Sequence, residues 1–105
     1  MSRVHYPDSA IQIEGWSHHG AFECDDAEVW IEGDLILISY FDDDGIVVLE
    51  GHPDEEGGWA LSARSRPRRA FLKPMSEAIG YFAGELDEQG EVAVWRLRLG
   101  EPAER

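Results

Sequence analysis

Cysteine is nearly absent from the chain: Cys24 is the only one. One thiol cannot close an intramolecular disulfide, so a disulfide-stapled scaffold is excluded and a reducing, cytoplasmic setting is expected. Bases are scarce, with nine Lys and Arg against 22 Asp and Glu and a net charge of −13. A chain of this sign repels phosphate backbones and anionic lipid, so neither a direct nucleic-acid partner nor a membrane partner is expected. No apolar run approaches the ~18 residues of a membrane helix. Residues 1–8 lack the apolar stretch of a secretory signal, and we expect them to fray, as we do residues 100–105.

Catalytic and metal motifs are missing as well. There is no G-x-S-x-G elbow and no G-x-x-x-x-G-K-[ST] phosphate loop. Zinc sites repeat paired ligands two to four residues apart. Here His18 and His19 are adjacent, point to opposite sides of an extended chain, and have no second pair elsewhere. Asp42-Asp43-Asp44-Gly45 resembles part of a calcium loop. With Gly45 in sixth place, however, the first and twelfth ligands become Tyr40 and Gly51, neither a carboxylate. Cys24 lies among acids, which disfavours its thiolate, and reads as a small core residue. No catalytic residue, metal ligand or cofactor is assigned.

What the chain has is alternation. Its 105 residues are 43% hydrophobic, enough for one domain with its own core. Period-two segments read as strands at residues 10–16, 21–24, 28–32, 35–41, 45–50, 59–65, 68–72 and 91–99. Turn residues separate them: Ser17-His18-His19-Gly20, Asp25-Asp26-Ala27, Gly33-Asp34, Asp42 to Gly45, the acidic loop at 52–58, and Asp87-Glu88-Gln89-Gly90. Residues 35–41 are apolar on both sides apart from Ser39, which predicts a strand covered on both faces.

Residues 73–86 are ambiguous. Met75, Ile79, Phe82 and Leu86 follow a helical spacing, but Gly80 and Gly84 each cost a helix ~1 kcal/mol relative to Ala. We read a strand over 78–86, preceded by one helical turn starting at Ser76, with a helix as the alternative. The whole is an all-β chain of eight or nine strands. Consecutive hairpins predict an antiparallel meander closing into a small barrel, and a two-sheet sandwich is the alternative.

Charge is unevenly spread. Residues 1–56 hold 15 acids and one base, whereas residues 57–105 hold seven acids and eight bases. Arg64, Arg66, Arg68, Arg69 and Lys73 fall within ten residues, and Arg96 and Arg98 lie on the polar side of the last strand. Guanidinium groups grip carboxylate or phosphate through paired hydrogen bonds, so these seven form a candidate site for an anion or an acidic partner. The plainer reading is that they neutralise the acidic half within one fold. Among four tryptophans, Trp59 and Trp95 fall on apolar faces and are predicted core. Trp30 shares a face with Glu28 and Glu32 and is a candidate exposed contact. The expected function is a non-enzymatic protein-interaction module meeting a basic protein partner or a second copy of itself. A small-molecule ligand in an aromatic-lined barrel cavity is the alternative.

Overall fold

Alternating side chains make each strand a wall with one apolar and one polar face, and a single sheet hides its apolar face by curling on itself. The computed structural model describes residues 3–16, 20–42, 45–55, 57–64, 67–75, 80–88 and 90–103. Among these run eight strands: β1 (Val4–Trp16), β2 (Gly20–Glu32), β3 (Leu35–Asp42), β4 (Gly45–Pro53), β5 (Trp59–Ala63), β6 (Arg68–Pro74), β7 (Tyr81–Glu88) and β8 (Glu91–Arg98). Each pairs antiparallel with the next, and β8 returns to pair with β1, closing the barrel. Closure sets Ile11 opposite Leu97 and Ile13 opposite Trp95. A sandwich would leave β1 and β8 as edges, so their pairing removes that alternative.

Inward residues fill the barrel. Ile11 and Ile13, Ala27 and Val29, Ile36, Ile38 and Tyr40, Val47 and Leu49, then Leu61, Ala70, Leu72, Leu86, Ala93, Trp95 and Leu97 form one cluster. A void of ligand size would leave its lining open to water-sized molecules, yet none of these residues exceeds 3% exposure. Trp95 is the largest of them, and its place depends on its neighbour. Gly84 of β7 lies directly opposite it, and a Cβ there would overlap the Phe71 carbonyl of β6. Through that gap the indole N–H of Trp95 donates to the Phe71 carbonyl at 3.1 Å.

Several boundaries differ from the sequence reading. The segment expected to fray at the start belongs to β1: Val4, His5 and Tyr6 pair with Ile31, Trp30 and Val29. The described part of the tail also turns back onto β1, where Gly100 N donates to Ser9 Oγ at 3.0 Å and Ala103 N to the His5 carbonyl at 2.8 Å. Asp25-Asp26-Ala27 does not end a strand. Between Cys24 and Ala27 the register slips by one residue against β1, so the acids sit in a bulge and β2 runs on. This merges two expected strands and reduces nine to eight. β4 continues through Pro53, which shortens the acidic loop, and Asp54 Oδ1 accepts from Gly58 N at 2.9 Å to close it.

The helix considered over 73–86 is replaced by the end of β6 and by β7, and no helix occurs among the described residues. The proposed turn at Ser76, like His18, His19, Asp43, Asp44, Arg66 and Gln89, lies outside the described residues. β3 is not covered on both faces. A closed barrel has one layer, so Leu35 and Leu37 are half-buried on its outside and Phe41 is exposed. The inside is apolar except at Ser9 and Arg68, and the outside carries Glu14, Glu23, Asp25, Glu28, Arg96 and Arg98 beside exposed Phe41, Ile46, Phe71, Val92 and Val94. No helix among the described residues is long and apolar enough to cross a membrane.

Candidate functional site

The fold divides the arginine-rich stretch. Arg64, just past β5, donates from Nε to Glu50 Oε1 of β4 at 3.0 Å. Arg68 is not on the outer face with it, as a continuous strand would have required. Arg68 is in phase with Ala70 and Leu72, so it points inward and is 4% exposed. Its Nη1 donates to the Tyr40 hydroxyl at 2.7 Å and its Nη2 to Glu88 Oε2 at 3.0 Å, with Asp42 Oδ2 at 3.5 Å. Asp42 ends β3, Glu88 ends β7 and Arg68 starts β6, so antiparallel order brings all three to one end of the barrel.

Burial governs the chemistry of that cluster. It pushes the Tyr40 hydroxyl up to about 12 against the pull of Arg68. Burial also opposes the charge on Arg68, but Tyr40 and Glu88 outweigh it and its pKa moves up. The phenol is therefore neutral and the guanidinium charged at neutral pH. The cluster plugs one end of the core and leaves Arg68 no exposed face for a partner.

Among the described residues, Arg69, Lys73, Arg96 and Arg98 are exposed on the outer wall. Arg69 sits opposite Asp87 of β7 and Ser62 of β5. Lys73, Ala83, Arg96, Gln12 and Glu23 form one row across β6, β7, β8, β1 and β2. One outward step along the strands, Tyr81, Arg98 and Ala10 form the next row, which ends at the β2 bulge bearing Asp25. The parts of these rows on β8, β1 and β2, with Tyr81, line an open groove of about 640 Å³ over β1, walled by Arg96, Arg98 and Tyr81 on one side and Glu23 and Asp25 on the other. Gln12 spans the middle and donates to Glu23 Oε2 at 2.9 Å. Among the described residues, no salt bridge engages Arg69, Arg96 or Arg98.

Trp30 is less exposed than its neighbours suggested. His5 lies opposite it on β1 and stacks on the indole at 4.7 Å with an interplanar angle of 3°. His5 Nε2 also reaches Glu28 Oε1 at 3.0 Å, so the half-buried Trp30 belongs to a cross-strand cluster. Trp59 too is half-buried, packed against the core rather than within it. Cys24 is half-buried under the acidic bulge, and burial followed by Asp26 pushes its thiol up.

Sequence reasoning missed Gln12, Glu23 and Asp25 as companions of Arg96 and Arg98. Glu23 and Asp25 lie 73 positions before Arg96 and Arg98 (96 − 23 and 98 − 25), and only the β1–β8 closure brings them to opposite sides of one strand. Arg68 did carry a signal, its two-residue phase with Ala70 and Leu72. Comparison of the chain with protein-family models, curated proteins and solved structures finds no match.

Proposed function

We propose that the chain is a binding module that joins a protein partner through the charged outer wall of its barrel. The observation that carries this reading is the contrast between bases. Arg64 and Arg68 are held by acids of the fold, whereas Arg96 and Arg98 stand exposed beside Glu23 and Asp25 with no salt bridge to a described residue. In a chain of net charge −13, two unneutralised guanidinium groups on adjacent outward positions of one strand create local positive potential suited to a partner's carboxylates. The filled interior weighs against the alternative of a ligand held inside the barrel. The lone thiol, with the acids and arginines spread over the outer wall, supports a cytoplasmic setting.

Charge-steered association weakens with salt, because exposed charges are screened beyond ~8 Å at physiological ionic strength. Association measured by light scattering should therefore fall at least ~10-fold between about 50 and 500 mM NaCl. Association of unchanged strength across that range would refute the charged-wall reading.

A further inference from the structure

We propose that the groove over β1 is the contact between two copies of this chain, related by a two-fold axis running along β1. This rests on the charged-wall reading and names the partner. β8 and β2 flank β1, each one strand spacing of ~4.8 Å away, so the groove is positive on one side and negative on the other. A two-fold axis along β1 exchanges those sides while leaving position along the strand unchanged. Arg96 then meets Glu23 of the second copy, Arg98 meets Asp25 of the second copy, and both contacts occur twice. Such self-complementarity is what an isologous dimer requires.

Three further features fit a second copy. Ala10 lies in the row between Arg98 and Asp25, and its single methyl lets the two β1 strands approach. Gln12 anchors one oxygen of the Glu23 carboxylate and leaves the other for a guanidinium. Tyr81 and Met75, each 42% exposed, flank the arginines and are residue types enriched at interfaces. Each barrel strand already has a neighbour on both sides over part of its length, so the wall's side chains rather than an added strand make the contact.

Charge exchange tests the geometry. One variant carries Arg96→Glu and Arg98→Glu, a second carries Glu23→Arg and Asp25→Arg, and both are measured by sedimentation velocity near 50 mM NaCl. The wild-type chain should dimerise, each variant alone should dimerise at least ~100-fold more weakly, and an equimolar mixture should recover dimer, because an all-negative groove then faces an all-positive one. A control with Asp34→Arg and Glu55→Arg, outside the groove, should dimerise like wild type. Should either reversal lose its far-UV strand signature, Arg96→Gln with Arg98→Gln replaces it, with an expected weakening of ~10-fold. A wild-type chain monomeric near 0.5 mM overturns the dimer, as does a mixture that stays monomeric. If that monomer still binds another charged protein with salt dependence, the charged-wall reading survives the loss of the dimer. Self-association indifferent to salt removes both.

Discussion

Arg68 is the residue on which sequence and structure part most clearly. In the chain it belongs to a basic stretch, and in the fold it is an interior cation bound to Tyr40 and Glu88 with Asp42 nearby. The phase with Ala70 and Leu72 was legible, but its partners come from β3 and β7 and could not be read before strand order was known. Removing one member of a buried ionic cluster strands the others, typically at about 3–5 kcal/mol. Arg68→Ala should therefore lower the urea unfolding free energy by about 3 kcal/mol or more, and a change below ~1 kcal/mol would show that the cluster contributes little. Tyr40 adds a pH signature. Its hydroxyl is held at about 12 in the fold, against ~10 in an unfolded chain. The fold favours the neutral phenol, so this contribution is complete below pH ~10 and is lost as pH rises toward 12, by roughly 2–3 kcal/mol. Urea midpoints taken from pH ~9 to ~12 should fall more steeply for wild type than for Tyr40→Phe. Equal slopes would mean that Tyr40 ionises alike in both states.

At the scale of the strand, two-residue alternation separated the two faces of β8 correctly, with Ala93, Trp95 and Leu97 buried and Arg96 and Arg98 exposed, whereas at β4 both faces are apolar and alternation alone did not say that Val47 and Leu49 are the inner pair. The bulges of β1 and β2 were not legible. A bulge keeps the ladder going across a locally broken pattern, so Asp25-Asp26 looked like a turn while β2 passes straight through it. Over residues 81–88 the helical spacing of Phe82 and Leu86 competed with strand alternation, and the strand reading holds as β7, in which the place of Trp95 depends on the missing Cβ of Gly84 opposite it. That dependence is testable. Gly84→Ala would drive a methyl into the Phe71 carbonyl and displace the acceptor of the Trp95 indole. Overpacking costs about 1–3 kcal/mol, and at ~4–8 °C per kcal/mol Tm should drop by roughly 4–24 °C. Indole fluorescence should shift as Trp95 loses its partner. A Gly84→Ala barrel melting within ~2 °C of wild type would show that β6 and β7 move apart freely.

For the whole molecule, closure decides both shape and charge layout. The sequence showed an acidic first half and a balanced second half, but not that the first and last strands meet. That meeting sets Glu23 and Asp25 across one strand from Arg96 and Arg98. It also makes salt act in opposite directions on two properties of one protein. A compact body of net charge −13 repels itself, so screening should raise the Tm of the monomer. The same screening should dissolve contacts between unlike faces. Arg96→Glu with Arg98→Glu makes the chain four charges more negative, and Glu23→Arg with Asp25→Arg makes it four less so. Measured where all are monomeric, the rise in Tm between about 50 and 500 mM NaCl should be largest for the arginine reversal, smaller for wild type and smallest for the acid reversal. If all three rise equally, net self-repulsion is negligible, and local pairs such as Arg64 with Glu50 set the response to salt instead.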